Sequence, residues 1–294
     1  MSPIRLAVLI TCHNRRNTTL ACLDSLFQQK LPPDIMFEVY LVDDGCTDGT
    51  REAVKQQFPE VRVIEGNGNL YWCGGMRLAW DTAMVGEYDY YLWLNDDTTL
   101  VQDALETLIV TEQNMNIGSK RSGVVIGSTL DPTSGMLTYG GFANAKARAL
   151  VVPTDCPQSC YTCTGNIVLV PRIVAKKVGN LSPEFLHTHG DMDYGLRTRK
   201  KGFNLWVAPQ YQGYCSKHVY APWCDPSVSI AERWKSLHTP KGQPPYETYI
   251  YAKRHTTFWP IALIKLYLRV LFPKQWEWLK GKRAYFKLGI SRSR

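Results

Sequence analysis

The chain has 294 residues, of which 45% are hydrophobic and 20% charged. That length and balance exclude a disordered tail, a collagen-like repeat and a disulfide mini-scaffold, and leave room for one or two globular domains. The net charge is +8, yet it is unevenly placed: residues 226–294 hold 14 Lys and Arg against 3 acids, so residues 1–225 carry a net −3. A mildly acidic body with a basic tail argues against a nucleic-acid groove across the body.

In chain order, the apolar run Ile4–Ile10 reads as a buried parallel strand and Thr18–Gln29 as a helix stopped by Pro32 and Pro33. Phe37–Val42 is a second strand, ending in Asp43, Asp44 and Gly45. A helix capped by Thr47 or Asp48 runs to Phe58, and Val61–Ile64 is a third strand. Residues 66–75 read as a glycine-containing loop before a helix over Met76–Val85, and Tyr90–Leu94 is a fourth strand ending in Asn95, Asp96 and Asp97. Strands are expected at Gly123–Ser128, Leu137–Phe142, Asn166–Val170 and Leu205–Ala208, with helices after Pro171 and over Asp191–Lys200. Alternating strands and helices predict a parallel α/β sheet, whose ligands bind at the carboxyl ends of the strands. Thr11 with His13, Asp43 with Asp44, and Asn95 with Asp96 and Asp97 all fall on that edge.

Each cluster also has an ordinary structural use. Asp97 can cap a helix beginning near Val101, and the Asp43–Gly45 segment can be a plain turn. Alternatively, crowded strand-end carboxylates suit a hard cation beside a phosphate, and a strand-end Asp can accept from a nucleobase N–H. Asp191 and Asp193 open a helix, where the dipole favours negative charge, and Arg197 lies one turn on from Asp193. His218 alone reads as a packed histidine. The nine cysteines are odd in number and scattered, which suits reduced thiols in a cytoplasm. Cys156, Cys160 and Cys163 are spaced poorly for zinc and read as free thiols.

Four segments together resemble family 2 glycosyltransferases of the GT-A fold over roughly residues 4–220: Ala7–Arg15, Val42–Thr50, Leu92–Thr98 and Gly190–Arg197. Rhamnosyl- and galactofuranosyl-type members are the most similar. The resemblance implies a mostly parallel GT-A sheet, with residues 1–100 a nucleotide-binding half, 101–225 an acceptor-binding half, and 226–294 a helical extension. It implies a metal-dependent, inverting transfer from a nucleotide-diphosphate sugar to a hydroxyl of a glycan or lipid-linked acceptor, in bacterial surface polysaccharide synthesis. Asp191 matches the catalytic base. Thr11, His13, Asp43, Asp44, Asn69, Trp72, Gly74, Asn95 and Asp96 match the nucleotide and donor positions. Asp97 and His218 match ligands of Mn2+ or Mg2+, while Asp193 and Arg197 orient. Asn95 and Gly190 depart from the family's usual residues.

The tail from Tyr246 to Tyr285 interleaves aromatics with Lys and Arg. It reads either as a peripheral helix on an anionic membrane surface, at the cytoplasmic face of an inner membrane, or as a lid packed on the body. The rival functions are a nucleic-acid-binding protein using the tail and a nucleotidyltransferase. The second normally needs a glycine-rich loop after the first strand, and Thr11–Arg16 contains no glycine.

Overall fold

A computed structural model describes residues 3–116, 122–144, 149–216 and 222–276. The chain divides into two compact units, Met1–Lys217 and His218–Arg294.

The first unit begins β1 (Ile4–Cys12), α1 (Arg16–Phe27), β2 (Ile35–Asp43), α2 (Thr50–Gln57), β3 (Arg62–Glu65), α3 (Tyr71–Ala83), β4 (Tyr90–Leu94). It continues with β5 (Thr99–Leu100), α4 (Ala104–Met115), β6 (Gly123–Leu130), β7 (Leu137–Tyr139), β8 (Gly141–Phe142), β9 (Gln158–Ser159) and β10 (Thr162–Cys163). It closes with β11 (Ile167–Pro171), α5 (Arg172–Val178), α6 (Gly190–Lys200) and β12 (Asn204–Tyr214). The main sheet runs in the order β3-β2-β1-β4-β11-β6-β12-β5. The first four of these are parallel, whereas β11 is antiparallel to both its neighbours and β12 runs parallel to β6. The sheet is therefore mixed and mostly parallel.

Buried side chains cover both faces. Leu6, Val8 and Ile10 pack under α1 and α4, while Ala7 and Leu9 face a second cluster holding Trp80, Trp93 and Tyr194. This two-sided burial explains why the parallel strands read as continuous apolar runs instead of alternating ones. Cys12 pairs with Asp43 across β1 and β2, and Leu9 with Trp93 across β1 and β4. The residues that follow, Asp44 and Asn95, consequently leave the sheet at one edge.

Three expected elements differ. The strand expected over Leu137–Phe142 is two short strands, β7 on the main sheet and β8 paired with β10 in a separate two-stranded sheet. α3 begins at Tyr71, not Met76, because the Asp44 carboxylate accepts the Leu70 and Tyr71 N–H groups at 2.9 and 3.0 Å and caps the helix early. α4 begins at Ala104, beyond β5, so Asp97 is not its cap.

The second unit contains α7 (Ile230–Leu237), α8 (Pro245–His255) and α9 (Trp259–Leu271), after a short turn of 3-10 helix at Pro222–Cys224. Ser229 and Glu232 form a capping box on α7. Trp223, Leu237, Leu266 and Val270 make its small core, with Arg233 donating to the Val270 carbonyl at 2.8 Å. Phe258, Ile261, Ile264, Leu268, Leu271 and Phe272 are exposed, and 261, 264, 268 and 271 repeat at helical spacing. Among the described residues no helix is long and apolar enough to cross a membrane.

Candidate active site

The acidic edge is built from loops that leave β1, β2 and β4. Asp96 is buried and Asp97 half-buried, yet they are not left to repel one another. Arg15, the residue before α1, donates from one nitrogen to Asp96 at 3.2 Å and to Asp97 at 2.7 Å. Arg15 belongs to the Ala7–Arg15 segment, and its contact shows that the crowded strand-end carboxylates already have a resident cation. The second Asp97 oxygen accepts from the Cys215 thiol at 3.5 Å. The second Asp96 oxygen, Oδ2, is buried and meets no hydrogen-bond partner among the described residues. Burial and, secondarily, the Asp97 charge push the Asp96 carboxyl up to about 7, against the pull of Arg15. A buried oxygen with no donor, beside a second carboxylate, is an oxygen set that fits a hard divalent cation.

Asn95 does not point its carbonyl oxygen into this acidic pair. Its Oδ1 accepts the Trp72 indole N–H at 2.7 Å. Trp72 also meets Trp93 edge to face at 6.0 Å, and Trp93 meets Tyr194 of α6 at 5.0 Å. Gly165 approaches so closely that an added Cβ would sit 2.3 Å from the Trp72 ring, and its N–H donates to Asp191 at 3.1 Å. Asp191, Trp72 and Asn95 are thus linked through one short stretch of backbone.

Asp191 lies in the first turn of α6 and also accepts from the Met192 N–H at 2.7 Å. The segment before it is tied to α3: Cys73 N–H donates to the Leu186 carbonyl at 2.8 Å. Gly190 now has a reason, since a Cβ there would come within 2.4 Å of the Cys73 sulfur. Asp193 is fully buried and receives Arg197 Nε at 2.7 Å, while the other Arg197 nitrogens donate to the carbonyls of Val178 and Asn180, both at 2.9 Å. That pair anchors α6 and so sets the direction of Asp191.

The β2 end separates two roles. Asp43 accepts the Cys46 N–H at 2.9 Å and Arg51 Nε at 2.7 Å. Burial would raise its pKa, but the bonds from Cys46 and Arg51 outweigh that and hold it below the ordinary carboxylate value. Asp44 is committed to backbone, with Gly68 N–H at 2.8 Å joining Leu70 and Tyr71. Thr11 is buried beneath α3, where a Cβ on Gly75 would fall 2.0 Å from its hydroxyl oxygen. His13 is exposed and bonds the Asp44 carbonyl through Nδ1 at 2.6 Å. Asn69 is exposed and bonds within its own turn, its N–H donating to Asn67 Oδ1 at 2.9 Å, and Gly74 is buried inside α3. His218 lies outside the described residues. Cys160 and Cys163 are buried and Cys156 is exposed, all as free thiols.

Asn14, Tyr71 and His189 hold positive φ of 52°, 54° and 66°, as does Gln210 of β12 at 54°, a conformation that persists where surrounding contacts over-determine it. No sequence pattern announces such residues.

With these features in place, comparison with known proteins is decisive for one segment. Residues 7–115 match the profile of Glycosyl transferase family 2. Over that segment, a little over a third of the chain, the sequence is similar to family 2 glycosyltransferases. A rhamnosyltransferase of Mycobacterium tuberculosis, N-acetylglucosaminyl-diphospho-decaprenol L-rhamnosyltransferase, is 23% identical over 258 residues, 76% of this chain and 78% of that protein. The poly(ribitol-phosphate) beta-glucosyltransferase of Bacillus spizizenii is 28% identical over 105 residues, which is 35% of this chain and only 16% of that protein. Among solved structures, the mannosyltransferase PcManGT of Pyrobaculum calidifontis, in complex with GDP-Man and Mn2+, aligns with TM-score 0.57 and 15% identity over 97% of this chain and 81% of its own. S. aureus TarS 1-349 aligns with TM-score 0.55 and 14% identity over 87% of this chain and 72% of its own. These likenesses establish the GT-A-like fold expected from the resemblance.

Proposed function

We propose that this family 2 glycosyltransferase moves a sugar from a nucleotide-diphosphate donor to a hydroxyl of a glycan or lipid-linked acceptor, with inversion, in the building of a bacterial surface polysaccharide. The observation that carries this reading is the linked trio Asn95, Trp72 and Asp191 beside the Asp96–Asp97 pair. Structural relatives solved with UDP, UDP-GlcNAc and GDP-Man support a nucleotide-sugar donor. Relatives named for a diphospho-decaprenol and a poly(ribitol-phosphate) substrate support the acceptor class.

In this reading Asp191 takes the proton of the acceptor hydroxyl as its oxygen attacks the anomeric carbon, and the bond to the donor diphosphate breaks in the same displacement. The Gly165 and Met192 N–H groups hold the carboxylate in place, and Trp72, fixed by Asn95, offers an aromatic face to a sugar. Asp43 and Thr11 border the nucleotide. His13, Asn69 and Gly74 sit nearer the diphosphate path, and Asp44 shapes that path through the backbone it holds. Asp97 and the free oxygen of Asp96 are the groups that would hold Mn2+ or Mg2+, which would supply charge neutralisation for the departing diphosphate. The basic second unit, with its exposed apolar row on α9, is a peripheral membrane contact at the cytoplasmic face.

The test is transfer from a panel of nucleotide sugars to lipid-linked and free glycan acceptors with added Mn2+, with anomeric configuration read by NMR. Asp191→Asn should lower kcat by about 10^2- to 10^4-fold while leaving donor binding intact. Full activity in that variant would remove Asp191 as the base.

A further inference from the structure

A second group of ligating side chains lies apart from the Asp96–Asp97 pair. Cys12 ends β1, Asp43 ends β2, and Cys46 follows in the turn after β2. Their ligating atoms all fall within 4.8 Å of one another. The two sulfurs are 3.9 Å apart. Two thiolates held at about 2.3 Å from a tetrahedral zinc ion stand ~3.8 Å from each other, so this spacing needs almost no adjustment.

The surroundings suit a soft metal as well. The Asn14 N–H donates to the Cys46 sulfur at 3.2 Å, the kind of outer contact that steadies a thiolate ligand. Asn14 holds that position with φ of 52°, and its side-chain oxygen accepts the Thr47 N–H at 2.7 Å, which locks the Cys46 turn. Zinc with two thiolates and one carboxylate leaves one negative charge, and the Arg51 guanidinium, on Asp43 at 2.7 Å and shared with the exposed Glu65 at 3.3 Å, offsets part of it. Cys12 and Asp43 are buried and Cys46 is half-buried, and three protein ligands leave the fourth tetrahedral position to water or a small ligand.

We propose that Cys12, Cys46 and Asp43 form a binding site for a soft divalent metal, Zn2+ in particular, distinct from the site of Mn2+ or Mg2+ on Asp97. Binding releases the two thiol protons to solvent and changes no oxidation state. The site has a functional consequence that rests on the preceding reading: zinc would draw on the same Asp43 carboxylate that meets a nucleotide base, so zinc and nucleotide compete.

The experiment titrates the reduced full chain with Co2+, then displaces it with Zn2+. The expected result is one equivalent giving a thiolate-to-cobalt charge-transfer band, with Cys46→Ser weakening binding at least about 100-fold, more than loss of an outer contact costs. Cys156→Ser, which changes an exposed cysteine elsewhere, should keep the band. If Cys46→Ser fails to fold, the unaltered chain still decides: Zn2+ should slow maleimide labelling of Cys46, located by mass spectrometry. Absence of the band, its survival in folded Cys46→Ser, or a Cys12–Cys46 disulfide that takes up no metal after reduction would overturn the site. A UDP titration separates the two claims. Zinc that binds as expected without weakening UDP supports the metal site and counts against Asp43 at the nucleotide.

Discussion

The Asp44 carboxylate offers the sharpest energetic test, because one small side chain holds three backbone donors. Gly68, Leu70 and Tyr71 N–H groups all reach it within 3.0 Å, and the residue is 3% exposed. Asp44→Ala would strand these donors in a part-buried site. A hydrogen bond to a charged group contributes about 1.5–3 kcal/mol, and loss of an ordinary helix cap costs about 1 kcal/mol. Some of the loop will relax toward water, so the net loss should be roughly 3–5 kcal/mol. Asp44→Asn keeps one acceptor oxygen and should lose roughly half as much. Urea denaturation followed by circular dichroism measures both, with the slope m checked for constancy. An Asp44→Ala variant within about 0.5 kcal/mol of the parent would refute the capping role, since surface changes stay in that range. A variant of parental stability with weakened UDP binding would instead make Asp44 a direct nucleotide contact.

Three further outcomes are expected. Asp96 is pushed up to about 7 when folded, so the folded chain holds a proton that the unfolded chain releases near pH 4. Stability in chelator should therefore fall as pH rises from about 4 to 7, by at most ~4 kcal/mol, and Asp96→Asn should flatten that slope in a denaturation series. Gly190→Ala brings a methyl against the Cys73 sulfur. It should cost about 1–3 kcal/mol and displace Asp191, whereas Gly190→Ala with Cys73→Ala should recover most of the loss. Vesicle flotation should show the chain on anionic but not neutral lipid, weakened by salt, and Ile264→Glu with Leu268→Glu on the exposed face of α9 should release it.

Much of the arrangement was legible because it follows from strand ends. Apolar runs buried on both faces must stop where the chain leaves the sheet, and Thr11, Asp43 and Asn95 each stand at such a stop. What was hidden depends on pairing across long sequence separations. Arg15 meets Asp96 and Asp97 more than 80 residues away, and nothing local in Asn14–Arg16 announces it. The early start of α3 is hidden because Gly74 and Gly75 look like loop. They are helical because Asp44 caps the turn before them, and position 75 is glycine because Thr11 leaves no room for a side chain there. Asn95 and Gly190 looked like defects in a pattern. In place, one receives an indole and the other yields space to a sulfur.

Arg15 also bears on how the protein is made. An acidic edge that relied on an imported ion for cohesion would tie maturation of the chain to metal supply, as in small zinc domains. Here a resident guanidinium, 39% exposed at the mouth of the edge, already serves as counter-ion. Under the proposed metal-dependent reading, loading would be an exchange of one cation for another on a scaffold that Arg15 already holds together. Metal starvation would then idle the protein without unfolding it.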